Sequence, residues 1–251
     1  MKKISIHTEK LLRTLADRYE TCCFVQDDPS CILKRYKSAV DTECAAFIIS
    51  VLSFGQRAQF MKKADIISAM YNNHPAEWLR SGKWKTDFIS GENKFYRFYS
   101  YNDMREVFSV LQKMLTEEKT LGDFFRKKYE SCTAKRLDEI ISGQFLNCRA
   151  VCHGKQSANK RVNMFLRWMV RIGSPVDLGL WTWFSPADLI IPLDTHVLAV
   201  AKQFGLISAS AAGTAKTAVE LTEVLKQVWP DDPCKGDFAL FGLGINQQDV
   251  L

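Results

Sequence analysis

Asp194 and Lys160 are the two side chains in this sequence whose types and settings suggest covalent chemistry. The segment Ile190-Ile191-Pro192-Leu193-Asp194-Thr195-His196-Val197 delivers one aspartate to the mouth of a helix predicted over 197–204, which Gly205 stops. A carboxylate at that N-cap faces the unpaired amides of the first turn, which favour its ionised form and fix its direction. A fixed anion suits a developing cation, such as a sugar that is losing its base. The same residue can equally be a cap and nothing more, contributing about 0.5–2 kcal/mol of stability. Lys160 opens the helix upstream. There Lys160, Asn163, Met164, Arg167 and Arg171 form one stripe, and Val162, Phe165, Leu166, Met169 and Val170 form the core-facing one. A lysine is a nucleophile only as the free amine. Cationic neighbours such as Arg167 and Arg171, and the positive end of the helix, would favour that form. A solvated basic face is the other reading of the stripe. Lys155, just before the helix, is a second candidate for the amine.

The elements that must carry these groups are helical. Leu11, Leu12 and Leu15 mark a helix over 8–19, and the segment from Asp41 to Leu52 is apolar almost all round, as a central helix is. Further helical patterns run over 60–70, 104–115, 124–129, 135–141, 218–228 and 237–244. No alternating strand pattern stands out. An aromatic and basic stretch, Lys94-Phe95-Tyr96-Arg97-Phe98-Tyr99-Ser100-Tyr101, interrupts the helices.

At 251 residues the chain has room for one large domain or two small ones, and 47% hydrophobic with 25% charged residues is ordinary for a globular protein. A net charge of +6 permits a polyanionic partner. The longest apolar run, Cys44 to Phe54, is too short for a membrane span, and the segment from Met1 to Glu9 lacks the apolar core of a secretion signal. A cytoplasmic protein without a membrane partner is expected. The eight cysteines include no C-x-x-C pair, so free thiols are expected and no metal or cofactor.

Two segments carry a resemblance to a known family. Lys160-Arg161-Val162-Asn163-Met164-Phe165-Leu166-Arg167-Trp168-Met169 and Pro192-Leu193-Asp194-Thr195-His196-Val197, with Phe204-Gly205-Leu206 after it, resemble the helix-hairpin-helix-GPD superfamily of DNA glycosylases. The long separation of lysine and aspartate is closest to its archaeal 8-oxoguanine glycosylase branch. Leu52-Ser53-Phe54-Gly55-Gln56-Arg57 resembles the helix end that carries a DNA-contacting glutamine there. The chain is also similar to an uncharacterised bacterial family that shares the phrases from Leu166 to Arg171 and from Val176 to Trp181. Where the superfamily has a Gly-x-Gly hairpin, this chain has only Gly154, and the four-cysteine cluster loop is absent.

The resemblance implies an all-α, two-lobed fold, with lobes over 40–150 and over 1–39 plus 151–251. It implies base excision from damaged double-stranded DNA, 8-oxoguanine first, with Asp194 stabilising the sugar cation and Lys160 forming a Schiff base that leads to strand cleavage. Phe54, Trp168, Trp181 and Trp183 would receive the flipped base. Gln56, Arg57, Lys94, Lys155, Arg161, Arg167 and His196 would contact DNA. No obligate protein partner is implied. The alternative is a non-catalytic helical DNA-binding module.

Overall fold

The computed structural model describes residues 3–22, 28–133 and 136–247, so Met1, one of the eight cysteines (Cys23) and the start of the helical pattern over 135–141 lie outside the described residues. The protein is mostly helical. In chain order the elements are α1 (Ile6–Tyr19), a 3-10 helix (Pro29–Arg35), α2 (Ala39–Leu52), α3 (Arg57–Met70), α4 (Pro75–Arg80), α5 (Trp84–Asp87), β1 (Lys94–Tyr96), β2 (Tyr99–Ser100), α6 (Tyr101–Glu117), α7 (Leu121–Glu130), α8 (Leu137–Gly143), α9 (Lys160–Val170), a short 3-10 turn (Pro186–Asp188), α10 (Thr195–Gln203), α11 (Ala215–Leu225) and α12 (Lys235–Gln247). The chain divides into two compact units, Pro29–His153 and Met1–Asp28 with Gly154–Leu251. No helix among the described residues is long and apolar enough to cross a membrane.

The central unit is organised by α2, whose residues from Thr42 to Leu52 are all buried. One of them is charged. Glu43 accepts hydrogen bonds from the Leu121 and Gly122 amides at 2.9 and 3.2 Å, so a carboxylate from one helix satisfies the open donors of the next. A capping box starts α6, with Ser100 Oγ accepting from the Asp103 amide and Asp103 Oδ2 from the Ser100 amide. The 3-10 helix belongs here, packed on α2. The boundary between units therefore falls at Asp28, earlier than residue 39. The aromatic and basic stretch forms the antiparallel ribbon β1–β2, which the residue pattern had not marked as strand because each arm is only two or three residues long.

In the terminal unit α12 packs against both α1 and α10. Close approach needs glycine at two points. A Cβ on Gly242 would lie 2.3 Å from the Tyr19 ring, and one on Gly244 would lie 3.0 Å from His196 Cβ. Leu12, Leu15, Val197, Val200, Leu221, Leu225 and Leu240 form the core between these helices. Leu11, placed on the inner face of α1 by its spacing, is instead exposed beside buried Leu12.

Candidate active site

Local backbone chemistry sets the direction of Lys160. Asn159, the residue before it, is left-handed (φ 50°, ψ 37°), a conformation that asparagine tolerates better than most residues. Ser157 Oγ accepts from the Asn159 amide at 3.0 Å, and Asn163 Nδ2 donates to the Ala158 carbonyl at 3.1 Å. These bonds pin the turn from which α9 starts. Lys160 is its first residue, half-buried, with Nζ 3.4 Å from Met164 Sδ.

Asp194 is the N-cap of α10, as its position before the helix predicts. Oδ1 accepts from both the His196 and Val197 amides, at 2.9 and 3.0 Å, and Oδ2 makes no hydrogen bond among the described residues. The side chain is half-buried. It is thus oriented by one oxygen and keeps the other for a further partner.

The polar stripe of α9 is not a solvated basic face. Every residue from Val162 to Val170 is buried, and Arg167 is only 3% exposed. Its guanidinium is paired with Asp28 at 3.0 Å, Asp177 at 3.2 Å and Asp237. Arg171, one turn on, pairs with Asp177, with Asp232 at 2.7 Å and with Glu20 at 2.8 Å. Both guanidinium carbons stand over the Phe238 ring, at 4.5 and 5.1 Å. Burial pulls the Arg167 guanidinium down, but Asp177, Asp28 and Asp237 lift it above its ordinary value. The expectations that Arg167 meets phosphates and that two cations favour a free amine on Lys160 are both corrected. Two arginines here serve five carboxylates, so the interior behind Lys160 is acidic on balance.

Asp237 ties this network to the two candidate groups. It lies in the first turn of α12 and is buried. Burial pushes its carboxyl up to about 6, and the Asp194 charge adds to the rise, while Arg167 and Lys160 oppose it. Lys160 and Asp194 therefore both lie within electrostatic reach of one buried carboxyl. The terminal unit thus holds the Lys160 amine, the oriented Asp194 carboxylate and a buried Asp237 carboxyl that burial pushes up. Sequence reasoning missed Asp237 because its partner, Arg167, lies far back along the chain.

The other expected site residues divide by burial. Trp168 is 0% and Trp181 1% exposed, so neither can stack a flipped base without unpacking the core; both assignments are corrected. Trp183 is half-buried and stacks on Trp181 at 5.6 Å. His196 is half-buried, edge-on to Phe241 at 5.9 Å, and Arg161 is half-buried. Lys155 is exposed, and its carbonyl accepts from the Ala215 amide at 3.4 Å.

Phe54, Gln56, Arg57 and Lys94 belong to the central unit, where they build a basic and aromatic knob. Phe54 packs against Tyr96, Phe98 and Tyr99 at 4.8, 5.0 and 5.1 Å. The Tyr96 hydroxyl donates to the Phe54 carbonyl. Arg97, at the ribbon turn, has φ 48°, and its guanidinium lies over Phe54 at 6.0 Å. A Cβ on Gly55 would meet Arg97 Nη1 at 2.5 Å, and Gly55 itself has φ +78°, so only glycine fits. The result is a supported ring, Phe98, that stays 47% exposed beside Arg97 and Lys94. Gln56 caps α3 from an exposed position, with Oε1 accepting from Gln59 at 3.0 Å, and Arg57 follows it. Arg97 and Phe98 were not singled out from the sequence, although the stretch containing them was.

The chain belongs to a family described as a protein of unknown function (DUF2400), whose model matches residues 28–246. No curated protein and no solved structure matches the chain. The family that matches is thus not the helix-hairpin-helix-GPD superfamily, and that assignment is corrected. The phrase around Asp194 is short, and much of it is the grammar of a capped helix, which unrelated helical proteins share.

Proposed function

We propose that this protein removes damaged bases from duplex DNA and that Lys160 and Asp194 carry the chemistry. DNA is held through its phosphates, which makes binding salt-sensitive. The damaged nucleotide leaves the stack. As the bond from C1′ to the base breaks, the base departs with the bonding pair, and Asp194 faces the positive charge that grows on the sugar. The Lys160 amine gives its lone pair to C1′; loss of a proton from nitrogen and cleavage of the C1′–O4′ bond then give a Schiff base, and removal of a C2′ proton expels the 3′ phosphate.

The observation that supports this reading most is the Asp194 carboxylate, held by two helix amides through one oxygen in the same unit as the half-buried Lys160. The other Asp194 oxygen makes no hydrogen bond among the described residues. The test is borohydride reduction during reaction with duplexes carrying 8-oxoguanine, other damaged bases or a preformed abasic site. Wild type should become covalently linked to at least one, and Lys160→Gln should not. Asp194→Asn should slow base release about 100-fold or more, the scale of losing one charge-stabilising group. Failure of wild type to trap or release any base would refute the reading.

The knob at Phe54, Arg97 and Phe98 favours a second reading, because a supported exposed ring among cations can bind nucleic acid without any chemistry. Salt-sensitive duplex binding with neither trap nor base release would favour that binding module.

A further inference from the structure

In the central unit one exposed side chain is held out by the packing beneath it. Phe98, at the turn of the β1–β2 ribbon, is 47% exposed, and its ring is braced from behind. Phe54 lies 5.0 Å from it at a tilt of 34°, and Tyr99 meets it edge-on at 4.8 Å. Both supports are themselves fastened. The Tyr99 hydroxyl donates to the Ala150 carbonyl at 3.0 Å, and the Phe54 carbonyl accepts from the Tyr96 hydroxyl. We propose that Phe98 stacks on the uncovered face of an unstacked nucleotide base, while Lys94 and Arg97 meet the phosphates beside it. The inference deepens the binding reading above by naming its ligand, and it does not depend on Lys160.

The same turn places the two cations. Lys94 Nζ donates to the Phe98 carbonyl at 3.3 Å, so the ammonium sits on the backbone of the exposed residue. Arg97 precedes Phe98 and has φ 48°, a left-handed conformation that a residue with a Cβ holds only where its surroundings enforce it. Its side chain lies against Gly55, where a Cβ would come within 2.9 Å of Arg97 Cδ. The strained backbone at Arg97 and the missing Cβ at Gly55 together seat the guanidinium over the Phe54 ring, which in turn supports Phe98. Among the described residues neither Lys94 nor Arg97 is paired with a carboxylate.

A flat apolar ring with a cation on each side matches a nucleotide, which offers a π-face and a phosphate in one unit. An acidic peptide offers the charge without the flat face. In an intact duplex both faces of each base are covered, so a single ring reaches one only by opening a step and losing its stacking. An uncovered face exists in a single strand and at the gap of an interrupted duplex. The two sources present the same chemistry to Phe98, and separate probes tell them apart.

The experiment is fluorescence anisotropy of the full chain with three labelled probes: a short thymidine single strand, a mixed-sequence duplex, and that duplex with a single nucleotide missing from one strand. Wild type should bind the single strand, the gapped duplex or both about 10-fold or more tighter than the intact duplex. Gain on the single strand alone assigns a free strand, gain on the gapped duplex alone assigns an interrupted one, and either supports the proposal. Phe98→Ala should lose about 5- to 150-fold on the preferred probe. Phe98→Trp should retain the affinity, and Phe98→Leu should behave as alanine does, because an apolar side chain without a flat face cannot stack. Thermal unfolding of the three variants should match wild type, since the ring is already half in water. Equal binding of the three probes by wild type, a Phe98→Ala that binds like wild type, or a Phe98→Leu that keeps full affinity would overturn the proposal. Displacement of the probe by polyglutamate as readily as by polythymidylate would also overturn it and assign the surface to acidic peptides. Binding to none of the probes sinks the nucleic-acid readings as a whole. Trapping through Lys160 with no dependence on Phe98 sinks this inference alone and leaves excision standing.

Discussion

Arginine stacked on an aromatic ring occurs in both units, in opposite settings. In the terminal unit Arg167 and Arg171 lie over Phe238 in the interior, with carboxylates on all sides. In the central unit Arg97 lies over Phe54 at the surface, beside the exposed ring of Phe98. The two arrangements use the same chemical pieces, and the carboxylates make the difference. Where five acids gather around two guanidiniums, the arginines organise an interior and leave no charge for a polyanion. Among the described residues no carboxylate pairs with Arg97, and the Phe98 ring beside it stays exposed. A basic stripe therefore says little about DNA until its counter-ions are known.

The largest expected effect comes from breaking the interior arrangement. Arg167→Met leaves Asp28, Asp177 and Asp237 in a buried site without their shared cation, and should cost about 3–5 kcal/mol in denaturant unfolding. Arg97→Met should cost under about 1 kcal/mol, since a surface cation–ring contact contributes no more than that. Equal losses would erase the contrast.

Asp237→Asn should act in the opposite direction. The folded carboxyl holds its proton up to about 6, whereas the unfolded chain releases it near pH ~3.9. The folded state thus binds more protons between these values, so stability from this group falls as pH rises from about 4 through about 6 and stays low above. Asparagine mimics the protonated form. The variant should be about 2–3 kcal/mol more stable than wild type at pH 7.5, with the gain vanishing near pH 4, as followed by thermal unfolding across pH. A destabilised Asp237→Asn at pH 7.5 would contradict this sign.

Phe98→Ala should leave unfolding nearly unchanged and weaken duplex affinity by about 1–3 kcal/mol, or roughly 5- to 150-fold, in a fluorescence anisotropy titration. Trp183→Ala, in the terminal unit, supplies the comparison. The smallest effect is expected for Lys94→Ala, which should lower the slope of affinity against salt by about one counterion with little change in lesion preference.

How much of this was legible in the sequence depended on distance along the chain. The Asp194 cap was readable because capping is decided within four residues, and the bonds to His196 and Val197 follow from it. The buried helix α2 was readable from its all-round apolar composition. The true setting of the α9 stripe was not, because Arg167 and Arg171 look solvated until Glu20, Asp28, Asp232 and Asp237 arrive from elsewhere. Trp168 and Trp181 were ambiguous for the same reason, since a large ring suits a core and a pocket alike. The β1–β2 ribbon left no alternation to detect, yet its turn carries the exposed Phe98.

The measurement that bears most directly on the central claim is the location of the covalent link. Wild-type protein reduced with borohydride on an abasic duplex, then digested with nuclease and protease, should carry the deoxyribose remnant on Lys160 as read by peptide mass spectrometry. A remnant on Lys155 or another lysine, or no remnant on any peptide, would contradict the assignment of Lys160 and Asp194 to one sugar.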